Sequence, residues 1–560
     1  MRNKIFIAGI FAVSLVHAQT LYVNNSDGTF QAIDTKQTHE ITFNEAQQLV
    51  RFTMLNGITS QFATAKVDNI ATAKEKTNEL TYNQSLSVEF SESDIRNFNE
   101  VTQEIPTDEL DEEYGDFDEN FNPRGITVTF SETGVKTSTL PDGITAKISG
   151  SHIVIRSTLS KYAYKIEGKS SNGSLKIYSD KKFMILAQGV DLTNPTGPAV
   201  NIQSGKTVYF CIADGKTNTL CDGATYKAPT VTNGVEEDQK GTIFSEGQLI
   251  FNGYGGGTGT LNVTSLGGHA ICSDDYIRVR GGNINILSSA KDGFRTKDKF
   301  IIGRTAAYSP TITINASSNG IECTEGALRI EAGKLDITSA GEAIKVVYEE
   351  AVPDPAITPN ADIAGGFIKI RTTGEKSSAI QTTGNYKQIG GIIQATVEGN
   401  GSKIINSDGT VAFENGKLTG IAKGTIAVAD TTSAGGIKSE GNLNIKGGTI
   451  ALDCQGNGAK AINCNSDVVI DGGEITLLAS GDNYTGIADD KKSRAITAST
   501  ITVNGGKVVA EAYDHAMTST EAITINGGIV NAYSKNATAL NKEAVQTAGW
   551  LLYKDAESSD

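Results

Sequence analysis

One short phrase returns about a dozen times along the carboxy-terminal two thirds of this chain, and it restricts the possible folds more than any other feature. The phrase opens on a small residue, continues with Ile or a substitute and one variable residue, and closes on Ser, Thr or Cys. Copies stand at Ala270-Ile271-Cys272-Ser273, Gly293-Phe294-Arg295-Thr296, Gly320-Ile321-Glu322-Cys323 and Ala379-Ile380-Gln381-Thr382, and again at Gly436-Ile437-Lys438-Ser439 and Ala461-Ile462-Asn463-Cys464. A second phrase follows each first one: an alternating strand, Gly-Gly, then another alternating strand. Val469-Ile470-Asp471-Gly472-Gly473-Glu474-Ile475 is one example, and the second glycine of this phrase falls at 448, 473, 506 and 528.

Period-two alternation over a few residues predicts short strands. Three such strands and three corners make a coil of about 22 residues, which buries little on its own. Stacked coils bury a continuous Ile/Val/Leu ladder and pair each backbone group with the coils above and below. Glycine supplies the positive φ that a sharp corner requires. Hairpins of a β-sandwich would not keep one residue order through a dozen copies, and propeller blades need about 40 residues each. The expected fold is all-β, a right-handed parallel β-helix over residues 125–560.

The rest of the chain divides around that repeat. Arg2 and Lys4 precede the apolar stretch Ile5 to Val16, too short to span a bilayer, and Val16-His17-Ala18 ends it. Residues 1–18 therefore read as a signal peptide, and the expected location is exported, with no transmembrane segment. Residues 19–75 read as a small β module around Asp27-Gly28. Residues 76–124 read as an acidic linker, since nine of the sixteen residues from Glu104 to Glu119 are Asp or Glu. The formal net charge of −15 makes nucleic acid a poor partner and favours cations, or carbohydrate bridged by cations. Six Cys lack metal-ligand spacing; Cys211–Cys221 and Cys454–Cys464 are the pairs that a disulfide could join.

Further elements carry a resemblance. They are Ser170-Ser171-Asn172-Gly173-Ser174-Leu175-Lys176-Ile177, Pro195-Thr196-Gly197-Pro198-Ala199-Val200-Asn201-Ile202, Lys240-Gly241-Thr242-Ile243-Phe244-Ser245-Glu246-Gly247 and His269-Ala270-Ile271-Cys272-Ser273-Asp274-Asp275-Tyr276. Together they resemble the exported carbohydrate-binding β-helix proteins of bacteria, whose fold is similar to that of pectate lyases. The resemblance runs over about 104–545. It implies binding of plant-type or acidic polysaccharide with calcium held on the helix.

Stacked coils bring equivalent residues to about 4.8 Å from one another. One column then reads His269, Asp292, Asn319, Glu342, and the turn after the first strand reads Asp275, Asp298, Glu325, with Asp274 beside the first. Carboxylates stacked this closely repel unless a cation intervenes, and oxygen cages suit calcium. The expected metal ligands are Asp274, Asp275, Asp292, Asp298, Glu325 and Glu342. The expected carbohydrate contacts are Arg278, Arg280, Arg295, Glu322 and Lys345, with Tyr276 as a stacking platform. The resulting expectation is a noncatalytic polysaccharide binder that uses calcium. The alternatives are a calcium-dependent lyase, with Arg295, Lys291 or Lys299 as base, and a surface adhesin without a glycan ligand.

Overall fold

The computed structural model describes residues 20–80 and 124–556, apart from 233, 255–256, 304–308, 350–351, 353 and 487–489. Residues 1–18, read from the sequence as a signal peptide, and nearly all of the 76–124 segment, read as an acidic linker, lie outside the described residues. Among the described residues the one helical segment is a 3-10 turn at Thr64–Lys66, and the architecture is all-β. The chain forms two compact units, one of residues 1–89 with 411–560, the other of residues 90–410.

In the 90–410 unit the chain visits three parallel ladders in turn and comes back to each one coil later. The first phrase builds the first ladder, where His269–Ser273 pairs Phe294–Thr296, which pairs Ile321–Cys323, which pairs Ile344–Val346. The strand before Gly-Gly builds the second ladder, through Ile277–Val279, Phe300–Ile302 and Leu328–Ile330. The strand after it builds the third, through Asn283–Ser289, Thr311–Ala316 and Lys334–Ser339. Inward positions stack in register. Ile271, Phe294, Ile321 and Ile344 are buried in the first ladder, and Ile284, Ile312, Leu335 and Ile368 in the third. Each such side chain contributes roughly 1.5–3 kcal/mol of burial. Where Phe replaces Ile, the ring of Phe294 packs edge-on against Phe300 at 5.1 Å.

The polar end of the first phrase is explained at the corner it occupies. Ser273 Oγ donates to the Gly247 carbonyl at 2.9 Å, and Thr296 Oγ1 donates to the Asp275 carbonyl at 2.6 Å. A small hydroxyl satisfies a carbonyl that the turn would otherwise leave buried and unpaired.

The 1–89/411–560 unit repeats the pattern with its own coils. Thr449–Cys454, Glu474–Ala479, Lys507–Ala512, Ile529–Ser534 and Trp550–Lys554 form successive parallel rungs. Gly506 stands at a corner with φ +77, and a Cβ there would sit 2.7 Å from the Gly473 carbonyl oxygen of the coil beneath. The amino-terminal strands belong to this unit. Thr38–Asn44, Leu49–Met54 and Ile58–Ala63 run antiparallel, and Ile58–Ala63 then pairs antiparallel with Trp550–Lys554. The sequence suggests that Trp550-Leu551-Leu552-Tyr553 covers the open core. These residues instead form the last rung, and the amino-terminal strands cover it. Phe62 stacks on Trp550 at 6.2 Å, and Trp550 Nε1 donates to Ser60 Oγ at 2.8 Å. A bare terminal rung would leave a row of unpaired N–H and C=O groups, so a stacked array needs such a cap.

All six cysteines are free thiols, so neither disulfide is formed. Cys454 Sγ points to the Lys460 carbonyl and Cys464 Sγ to the Gly441 carbonyl, because the two lie on strands of different ladders.

Candidate functional site

The outer face of the first ladder in the 90–410 unit carries two groups of polar side chains, one at its opening strands and one further along. Its opening strands, Ser151–Ser157, Gly173–Ser179 and Val200–Gln203, place Arg156 opposite Tyr178 and Tyr178 opposite Gln203. Alternation sends these three side chains outward while Ile155, Ile177 and Ile202 fill the core. The result is a cleft of about 520 Å³ lined by Arg156, Tyr178 and Gln203 with Thr145, Ser157 and Asp180 among its other walls. The Arg156 guanidinium lies over the Tyr178 ring at 3.9 Å. Tyr178 is fixed from the other side, where its hydroxyl donates to Glu237 at 2.8 Å and Lys176 closes an ion pair with the same carboxylate at 2.8 Å. Burial, then Glu237, pushes the Tyr178 phenol up to about 12, so it stays a donor at any ordinary pH. A guanidinium seated over a ring can still offer N–H groups to a carboxylate or to vicinal hydroxyls.

Further along the same face, Asp238, Glu246 and Asp274 bring ligand oxygens within 4.8 Å of one another. Lys240 Nζ sits 2.6 Å from Asp274 and 3.0 Å from Asp238. Burial, then the charges of Asp274 and Asp238, raises the Glu246 carboxyl above the ordinary carboxylate range. Burial also raises Asp274; Lys240 opposes the rise and Asp238 adds to it. Three carboxylates against one ammonium is an oxygen set suited to a hard divalent cation.

The other residues put forward by the sequence are placed as follows. Asp275 and Asp298 are neighbours in successive coils, since the Asp298 N–H donates to the Asp275 carbonyl at 3.1 Å. Glu325 pairs with Lys297 at 3.0 Å. The column His269, Asp292, Asn319, Glu342 exists, but its side chains tie one coil to the next. Asp292 accepts the Asn319 N–H at 2.9 Å, and Asn319 accepts the Glu342 N–H at 3.0 Å. Asp292 also lies 3.0 Å from His269 Nδ1. Burial works against its charge, but His269, Ser318 and the Asn319 N–H together outweigh burial and hold the carboxyl at about 2. Glu322 is enclosed by Arg295 at 2.7 Å and Lys345 at 2.8 Å, which leaves Arg295 and Lys345 at the surface and Glu322 internally spent.

Arg278 and Arg280, expected on an exposed face, are 2% and 1% exposed. The reason is local composition. The outer face of the second ladder is apolar here, and Met184, Leu186, Tyr209, Ile250 and Tyr276 form a buried cluster on it. Arg278 stands next to Ile250 in that column. Arg280 lies near the Tyr209 ring, with its guanidinium carbon 5.9 Å from the ring centroid. Arg278 reaches Glu331 at 3.6 Å. Tyr276, the expected stacking platform, is therefore part of a packed cluster.

Residues 149–482 and 433–538 match the model of a family described as carbohydrate-binding domain-containing protein. The chain belongs to that family. A carbohydrate-binding domain-containing protein of Acetivibrio thermocellus is 25% identical over 125 residues, which are 22% of this chain and 41% of the relative. The chain thus spans less than half of that relative's length. A solved structure of a polysaccharide lyase-like protein from C. thermocellum, a gadolinium derivative, aligns over 52% of this chain and 100% of its own at 21% identity, with a TM-score of 0.37.

In this member of the family the sequence pattern does not single out Arg156, Tyr178 and Gln203, because the opening coils depart from the regular repeat. Nor does it single out Glu246, although Ser245-Glu246 stands one coil before Ser273-Asp274 in the same register. Aligning that corner would have found the pair.

Proposed function

We propose that the protein is an exported, noncatalytic binder of acidic, plant-type polysaccharide, wound as a right-handed parallel β-helix. Crossovers between parallel strands are right-handed in almost every known case, which supports the hand. The observation that carries the binding reading is the placement of Arg156 over the Tyr178 ring in the cleft that both residues line. The ring presents an apolar wall, the guanidinium fork matches a uronate carboxylate, and Ser157, Thr145 and Gln203 suit sugar hydroxyls. Asp238, Glu246 and Asp274 would hold calcium once the Lys240 ammonium turns aside. The cation would then bridge the protein to carboxylates of the glycan.

Incubation with polygalacturonate and calcium tests this. The expected result is depletion of the protein onto the polysaccharide without absorbance from an unsaturated product. Product formation would mean a lyase. Neither depletion nor product would leave an adhesin role and remove the glycan reading.

A further inference from the structure

A second polar site lies on the outer face of the first ladder in the 1–89/411–560 unit. Three of its strands are Gly435–Ser439, Lys460–Cys464 and Arg494–Val503, and Lys460 stands directly opposite Arg494. On its other side Lys460 faces Gly435, which has no side chain to cover it. Two residues before Lys460, Tyr484 and Lys491 lean over Gly458; their Cβ atoms each lie 2.9 Å from where a Cβ on Gly458 would sit. Tyr484 and Lys491 are pinned there by reciprocal backbone hydrogen bonds of 2.8 and 3.0 Å. Lys438 completes the set.

Four cations thus share one small region of a chain whose net charge is −15. Two have carboxylate partners: Lys438 lies 2.7 Å from Glu440, and Arg494 lies 2.8 Å from Asp514. Burial, then Arg494, Lys491 and Lys438, pulls the Lys460 ammonium down to about 8. Like charges gathered around a half-buried ammonium are unfavourable unless something negative joins them. The neighbouring outward column, Lys438, Asn463, Thr497, Thr518, adds a second and independent sign. The Thr497 and Thr518 hydroxyls are buried without a hydrogen-bond partner, Thr518 being only 7% exposed. Buried hydroxyls left unpaired are uncommon in folded proteins and call for a partner such as water or a bound group.

We infer that Lys460, Lys438, Lys491 and Arg494 form an anion site for the acidic group of a sugar, with Tyr484 as the platform for its ring. Aromatic face and cationic edge together select a charged pyranose over a neutral one. The inference rests on the carbohydrate-binding reading for the sugar, but not for the anion.

The test uses the full chain at constant ionic strength. Thermal unfolding is followed with sodium sulfate, with galacturonate and with galactose, and galacturonate affinity is measured by calorimetry. Both anions should raise the unfolding temperature, and galactose should not. Lys460→Met should unfold at a higher temperature than the parent without anion, lose the anion-dependent rise, and bind galacturonate about tenfold or more weakly. A residue with a merely structural role would give the opposite sign in the absence of anion. Tyr484→Ala should keep the sulfate effect and lose affinity for galacturonate. A parent chain indifferent to both anions, or a destabilised Lys460→Met that still responds to them, overturns the site. Retention on polygalacturonate without an anion effect sinks this site alone, whereas an anion effect without retention sinks only the proposed function.

Discussion

Phe62→Ala should release the amino-terminal strands from the rung they cover. The Phe62 ring is buried, stacks on Trp550 at an interplanar angle of 11°, and shares a cluster with Val50, Phe52, Ile58 and Leu552. Truncating a buried Phe costs about 3–5 kcal/mol from lost burial and the cavity left behind. With a urea dependence of about 1–3 kcal/mol per molar, the midpoint for release should fall by roughly 1–5 M. Trp550 is the chain's single Trp, so its fluorescence reports on this junction alone. Stacked coils interact with their neighbours only, so the Trp550 transition should precede the loss of far-ultraviolet circular dichroism from the remaining coils. An emission maximum already typical of water in the parent chain would refute the reasoning. So would a Phe62→Ala midpoint that does not move.

Three further outcomes follow from the same packing and charges. Gly506→Ala should destabilise its unit by about 2 kcal/mol or more in chemical denaturation, since a Cβ meets both a positive φ and the Gly473 carbonyl. The Asp292 carboxyl, held at about 2, should contribute stability that is complete above pH 4 and disappears as pH falls toward 2. Asp292→Asn should flatten that part of a stability-against-pH curve and cost about 2 kcal/mol at pH 7. Chelated protein should take up calcium in calorimetry, and Asp274→Asn should weaken uptake about tenfold or more; uptake unchanged by the substitution would exclude the Asp238–Glu246–Asp274 set.

The fold was legible wherever the repeat was regular. The small-Ile-x-Ser phrase and the Gly-Gly corner are direct imprints of an inward column, a buried carbonyl at a turn and a positive φ, so they assign strands to ladders without any structure. Side-chain direction followed from alternation, which placed Arg295, Glu322 and Lys345 in one outward column. What covers an outward column did not follow. Arg278 and Arg280 alternate like surface residues, but their face is apolar in earlier coils through Met184 and Ile250, residues distant in sequence. The role of the amino-terminal strands was hidden for a similar reason: the pairing of Ile58–Ala63 with Trp550–Lys554 joins segments nearly five hundred residues apart. The acidic column showed the converse. Its members stack as expected, but an Asp or Asn at a coil corner can bind a backbone N–H as readily as a cation, and spacing alone does not separate the two uses.

The most direct test of the central claim is calorimetric titration of an acidic oligogalacturonide into the parent chain and into Arg156→Ala and Tyr178→Ala, with circular dichroism confirming that each variant is folded. Saturable binding by the parent, weakened about tenfold or more in both variants, is the expected result. Undiminished binding in both variants would contradict the assignment of glycan recognition to this cleft.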